Sequence, residues 1–270
     1  MTIGRENRMR IPTRLFGLAT VFLVAARALA VTSETTPVAP KLRFVVILTR
    51  HGVRSPTWTL ADLNMYSSQP WPDWGVAPGH LTPQGYKLMT LLGSYYRLYF
   101  ANAGLLPSTG CEDGNHLHLH ILADSESRTL ETGKALAAGM APECGTPTQT
   151  VSDGKDPLFS PLAAGVGNPD RALALASISG RIGGNPDALV EVYRSAFDRL
   201  REILFGCAPN VTCPAEQQAG KRSVVKEPSS LEAGKGDHSA DLRGPLRIGS
   251  TLSEDFLLEY LNGMEGNDLA

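Results

Sequence analysis

The sequence predicts an α/β protein: a sheet domain with flanking helices, plus an inserted, mainly helical segment. Three observations carry this. Phe44-Val45-Val46-Ile47-Leu48 is a short apolar run rich in β-branched residues, the pattern of a buried strand. A second run, His116 to Ala123, alternates and then continues apolar. Each is followed by a helical pattern, and beyond residue 160 the strong patterns are helical only, which is the order of a sheet domain with a helical insertion.

Residues 1–30 read as a secretory leader. Arg5, Arg8, Arg10 and Arg14 form a cationic start, Leu15 to Ala26 an apolar run, and Ala28-Leu29-Ala30 a small-residue cleavage site. The run is shorter than the ~20 apolar residues a membrane span needs, and Arg27 interrupts its end. No later segment is apolar enough to span a bilayer, so no membrane association is expected once the leader is gone. A periplasmic or secreted protein of about 240 residues is expected, starting at Val31. Its balance is 20 basic against 26 acidic residues, a net −6. That argues against a nucleic-acid partner, which needs an extended basic face. An anionic ligand has to be drawn by local clustering of arginine.

All four cysteines follow the leader: Cys111, Cys144, Cys207 and Cys213. An even count in an exported chain points to two disulfides. Three connectivities are possible, and pairing of sequence neighbours, Cys111–Cys144 and Cys207–Cys213, is favoured. No Cys-x-x-Cys or histidine pair accompanies them to suggest zinc.

Along the chain, residues 31–41 form a Thr/Pro/Ala-rich arm, and Arg43 to Leu48 the first strand. Residues 60–80, with Pro70, Pro72, Pro78, Trp71 and Trp74, look irregular. Thr82 is a good N-cap and Pro83 fits the first position of the next helix. There Leu88, Leu91, Leu92, Tyr95 and Tyr99 recur at helical spacing as a core face. His116, His118 and His120 alternate; as metal ligands they lack supporting carboxylates or cysteines, so they read as a polar strand face. A helix from about Arg128 to Met140 follows. A short helix is possible after Asn168-Pro169-Asp170. Asn185-Pro186 opens a strong amphipathic helix, with Leu189, Val192, Tyr193, Ala196, Leu200, Ile203 and Leu204 on one stripe and Gly206 at its end. Residues 215–245 are polar and read as a mobile loop. Thr251-Leu252-Ser253-Glu254 fits a capping box at the start of the last helix. The expected organisation is a leader at 1–30, the N-terminal part of an α/β domain at 31–160, a helical insertion at 161–245, and a helix returning to the α/β domain at 246–270.

The chemistry concentrates in Thr49-Arg50-His51-Gly52-Val53-Arg54-Ser55-Pro56, directly after the first strand. In open α/β sheets ligands bind at the carboxyl ends of strands. Guanidinium forks match phosphate oxygens bidentately, and a histidine among them is a candidate nucleophile toward phosphorus. Arg50 and Arg54 converge on one phosphate in this reading, and Gly52 allows close backbone approach. Ser55 or Thr57 would cap a following helix. The adjacent positive charges disfavour imidazolium, so His51 stays neutral in mildly acidic surroundings.

The full Arg-His-Gly-x-Arg-x-Pro pattern resembles the histidine acid phosphatases, the branch of the histidine phosphatase superfamily that includes bacterial periplasmic phytases and glucose-1-phosphatases. Gly79-His80-Leu81-Thr82-Pro83-Gln84-Gly85 looks like the family's Leu-Thr-x-x-Gly segment. Ala123-Asp124-Ser125-Glu126-Ser127-Arg128-Thr129 resembles the segment supplying a further phosphate-binding arginine. The resemblance implies that His51 is phosphorylated in an intermediate, that Arg50, Arg54 and Arg128 hold the phosphoryl group, and that neither cofactor nor metal is used. It also implies a small phosphorylated substrate, of sugar-phosphate or phytate type. Trp58 stands where related phytases often place a basic residue, which weakens the case for a highly charged inositol phosphate, and a flat aromatic suits a sugar ring equally. The family's late His-Asp motif, whose Asp protonates the leaving group, has no counterpart here: His238 is followed by Ser239, and Asp241 is wrongly spaced. The chain is therefore expected to be the N-terminal part of such an enzyme, with weak or no turnover alone, or else a non-catalytic phosphate-binding or vestigial protein. A phosphoglycerate-mutase-like reading shares the Arg-His-Gly start, but the leader and cysteine pairs argue against that cytosolic chemistry.

Overall fold

The computed structural model describes residues 41–112, 117–151 and 156–265. The expected leader and His116 lie outside these residues. Among the described residues, every helix and strand belongs to the unit that begins at Arg43.

The fold is mixed α/β, with two small sheets among many helices. The elements are α1 (Leu60–Asn64), α2 (Pro83–Asn102), β1 (Ile121–Leu122), α3 (Ser127–Met140), β2 (Thr148–Gln149), α4 (Arg171–Arg181), α5 (Ala188–Val192), α6 (Arg194–Phe205), β3 (Ser230–Ala233), β4 (Ala240–Arg243) and α7 (Pro245–Asn262). β1 and β2 pair in parallel, Ile121 opposite Thr148, and β3 and β4 form an antiparallel hairpin.

The expected first strand is not formed. Residues 43–49 pair with no strand among the described residues, and Phe44, Val46 and Leu48 are 78%, 79% and 86% exposed. Strand preference is a fit to neighbouring strands rather than a property of the backbone, and this run has the composition without the neighbour.

Burial begins at the following loop. Val53 O accepts from Thr82 N at 2.9 Å, and Ser55 N donates to His80 O at 2.9 Å. The loop thus lies against residues 77–82, just before α2. Thr82 caps α2 by accepting from Gly85 N at 2.9 Å, with Pro83 in the first turn, as the sequence indicates. A Cβ on Gly85 would sit 2.1 Å from Val53 O, so only glycine lets α2 press on the loop.

α2 packs on α3 through the same device. A Cβ on Gly93 would lie 2.4 Å from Leu136 O, and one on Gly139 would lie 1.9 Å from Thr90 O. This contact selects the buried face of α2: Gly85, Met89, Gly93, Arg97 and Phe100. The residues expected as core fall elsewhere. Leu88, Leu91, Tyr95 and Tyr99 are exposed, and Leu92 is half-buried. Close helix contact wants small side chains, and the bulky stripe is left on the outside. Arg97, 6% exposed, donates to the carbonyls of Pro107 (2.7 Å), Met140 (2.9 Å) and Gly110 (2.5 Å), joining α2, the following loop and the end of α3. Cys111–Cys144 closes the same region, and the second disulfide is Cys207–Cys213.

The expected strand over 116–123 contracts to β1. Its alternation persists, with Leu117 buried, Leu119 half-buried, and His118 and His120 exposed. His118 meets Glu112 through its backbone N–H (2.9 Å) and its ring Nδ1 (3.1 Å). Among the described residues no group of three or more His, Cys, Asp or Glu is placed to hold a metal, and no helix is long and apolar enough to cross a membrane.

A second core joins distant segments: Leu63, Tyr66, Trp71, Phe197, Leu200, Leu204, Val224 and Leu252 pack together, and Trp71 stacks on Phe256 at 4.9 Å. Residues 60–80 are thus less irregular than expected, since Thr59 and Asp62 form a capping box that starts α1. Asp170 caps α4 by accepting from Leu173 N. The long helix expected from 186 breaks at Tyr193 into α5 and α6. The break rotates the apolar stripe, so Phe197, Leu200 and Leu204 are buried while Val192, Tyr193 and Ile203 are exposed. Gly206, left-handed at φ 66°, ends α6 as the sequence indicates. The polar stretch 215–245 is ordered into two 3₁₀ turns and the β3–β4 hairpin. α7 starts at Pro245 rather than near Thr251, because proline sets the first turn and Thr251 Oγ1 donates back to Arg247 O.

α7 buries two carboxyls one turn apart, Asp255 and Glu259, on the side that carries Leu252 and Leu258. Burial pushes Asp255 up to about 7; Arg54 opposes the shift, while Glu254 and Glu259 add to it.

Two outcomes are expected. Arg97→Ala strands three carbonyls and lowers the unfolding free energy by about 3 kcal/mol, measured by urea denaturation with disulfides intact; Arg97→Lys recovers part of the loss. The raised Asp255 value means the folded state binds the extra proton. Its stabilisation is full below the ordinary 3.8 and is lost as pH rises through about 7. Asp255→Asn therefore flattens the decline of stability between pH 4 and 7, read from denaturation midpoints across that range.

Candidate active site

The site is built on the loop after residue 49, held at three points. The backbone of Val53 and Ser55 is bonded to residues 80–82. Ser55 Oγ donates to Ala77 O at 2.7 Å. Gly52 N donates to Thr132 Oγ1 of α3 at 3.0 Å, and that hydroxyl donates to Arg128 O. α3 is thereby fixed beside the loop with Arg128 in its first turn.

Ser55 and Thr57 do not cap a helix, since Thr59 performs that role for α1. The need for glycine at position 52 is one of packing: a Cβ there would lie 2.6 Å from Met89 Cγ. Trp58 is half-buried, 5.9 Å from the ring of Tyr66 and against the second core.

His51 is half-buried, and its Nδ1 lies 2.7 Å from Gly52 O. A carbonyl oxygen only accepts, so Nδ1 carries the proton. Neutral imidazole then keeps its lone pair on Nε2. Burial is the largest cause lowering the His51 pKa. The bond to Gly52 O opposes it, and the charges of Arg128, Arg50 and Arg54 each lower it further. All three sequence-predicted arginines thus act on one imidazole.

Each guanidinium has a carboxylate partner. Arg50 Nη2 is 2.8 Å from Glu254 Oε1, and Arg54 Nη2 is 3.3 Å from Glu254 Oε2. The Arg54 side chain is 8% exposed and also donates to Ser55 O at 2.9 Å. Burial lowers its pKa, and Glu254 and Asp255 oppose that shift. Arg128 Nη1 meets Glu126 at 3.0 Å and passes near Gly79, whose left-handed φ of 76° favours glycine.

Glu254 and Asp255 are the site residues that sequence reading misses, because the Thr251–Glu254 pattern looks like a helix start. A usable signal exists: Asp255 and Glu259 share the helical spacing of Leu252 and Leu258, where an apolar residue is expected. His238 and Asp241 stand apart from this machinery, His238 exposed in the β3–β4 turn and Asp241 paired across the hairpin with Glu232.

Three positive forks and a neutral imidazole with a free Nε2 suit a tetrahedral oxyanion, and comparison with known proteins agrees. Residues 41–178 match the histidine phosphatase superfamily, branch 2. Phytase AppA of Escherichia coli is 37% identical over 227 residues, 83% of this chain and 52% of that protein. Glucose-1-phosphatase of Salmonella typhimurium is 25% identical over 89% of this chain and 56% of its own length. The apo structure of Hafnia alvei phytase superposes with a TM-score of 0.66 at 32% identity, covering 79% of this chain and 52% of that one. The chain spans about half the length of the curated relatives it matches. By its matched residues and by the fold around His51, it belongs to branch 2 of the histidine phosphatase superfamily.

Proposed function

We propose that this site cleaves phosphate monoesters through a phosphohistidine on His51. The observation that carries the reading is the 2.7 Å contact of Nδ1 with Gly52 O, which leaves Nε2 as the nucleophile. The Nε2 lone pair attacks phosphorus while the ester P–O bond breaks, and the departing alkoxide takes a proton from solvent water. Water then attacks the phosphohistidine, releasing inorganic phosphate and restoring the imidazole. Arg50, Arg54 and Arg128 neutralise the non-bridging oxygens, a role that requires fixed donors around developing charge. The substrate class is a small phosphorylated metabolite of sugar-phosphate or phytate type. Arg-rich leader residues and two disulfides support action in the periplasm or outside the cell.

A second reading is a non-catalytic phosphate binder. It is favoured by Glu254, whose carboxylate already holds Arg50 and Arg54 in this structure.

An activated aryl phosphate separates the two, because its leaving group barely needs protonation. Rapid acid-free quench with ³²P-labelled 4-nitrophenyl phosphate is expected to trap label on His51, with none on His51→Ala. A chain that binds phosphate but never takes up label is the non-catalytic binder. The rate of labelling follows the neutral imidazole. It rises with pH and levels off with its midpoint below 6.5, because burial and the three arginines hold the His51 pKa below that ordinary value. A midpoint above 6.5 contradicts the assignment.

A further inference from the structure

We propose that Glu254 is a built-in competitor of phosphate, a carboxylate that occupies the anion-binding faces of Arg50 and Arg54 and must leave before a phosphoryl group can settle there. The inference rests on the phosphate-site reading above and extends it to regulation of that site. The two carboxylate oxygens are divided between the two arginines, Oε1 on Arg50 and Oε2 on Arg54, at 2.8 and 3.3 Å. A phosphate bound between the same residues would place two of its oxygens on the same two forks.

The contact is tertiary, made from α7 across 204 residues of sequence, so it exists only in the folded chain. The partners differ in what they need. Arg54 is nearly buried, and among the described contacts of its guanidinium the one charged partner is Glu254. A buried cation without a counter-anion is costly. Glu254 itself is 35% exposed in its side chain, so it can rotate outward and be hydrated once another anion neutralises Arg54. Phosphate dianion carries twice the charge of a carboxylate and has further oxygens for Arg128. The exchange therefore favours phosphate and runs against weaker monoanions. Glu254 acts as a threshold on affinity and as a filter on charge.

The opposite role is equally definite: a carboxylate that aims the two forks toward the ligand. Isothermal titration of inorganic phosphate into wild type, Glu254→Gln and the remote control Glu202→Gln decides between them. The competitor role requires Glu254→Gln to bind phosphate at least about threefold tighter than wild type, the scale of one partly exposed ion pair, with Glu202→Gln unchanged. Weaker or equal binding by Glu254→Gln overturns the proposal, and weaker binding assigns the aiming role. Equal tightening in both variants reduces the effect to net charge and also overturns it. Circular dichroism and thermal unfolding of each variant are read alongside; if Glu254→Gln fails to fold, Glu254→Asp, whose carboxylate is retracted by one methylene, carries the same expectation. Phosphate binding to none of the folded proteins rejects the phosphate-site reading itself, whereas binding by wild type without tightening in the variants rejects only the role of Glu254.

Discussion

Close backbone approach at glycine is the constraint on which this site depends. Gly85 lets the start of α2 touch Val53, and Gly93 with Gly139 lets α3 touch α2. With both helices at that distance, Thr132 reaches Gly52 N and Arg128 lies beside the His51 loop. A methyl group at any of these positions would meet backbone atoms that cannot rotate away, so the helices would separate and Arg128 would move with them. The arginine cluster is thus a consequence of how tightly two helices pack, not of the loop alone.

Electrostatics then sets the state of the cluster. Burial first, and three guanidinium groups after it, favour the neutral imidazole, and a carbonyl fixes which nitrogen keeps the lone pair. The same positive field needs anions. Glu254 answers Arg50 and Arg54, Glu126 answers Arg128, and Asp255, pushed up to about 7, adds a carboxyl that is protonated on the acid side of neutrality. Two carboxylates thus offset part of the charge of three arginines.

The outer surface carries apolar groups that the site does not use. Residues 43–48 offer exposed strand-forming side chains, and α2 offers Leu91, Tyr95, Leu98 and Tyr99 to solvent. Related proteins are about twice as long as the part this chain matches. The exposed apolar run and the exposed stripe of α2 are the places where the sequence pattern asks for cover that the described residues do not supply.

Local signals are legible where their physics is local. Thr82 and Pro83 start α2, Asp170 starts α4 and Gly206 ends α6, because a cap or a left-handed turn is decided by one or two residues. The grouping of Arg50, His51 and Arg54 is legible because they share one loop. Tertiary contact decides the rest. The core face of α2 escapes a pattern reading because a close helix pair buries glycines and excludes large side chains. The capping box at 251–254 misleads because proline and glycine start the helix earlier. Glu254 becomes part of the site through a contact that no local pattern records. Residue types and spacing fix what a segment can do; which face is buried and which charges meet are set only when distant segments compete for the same space.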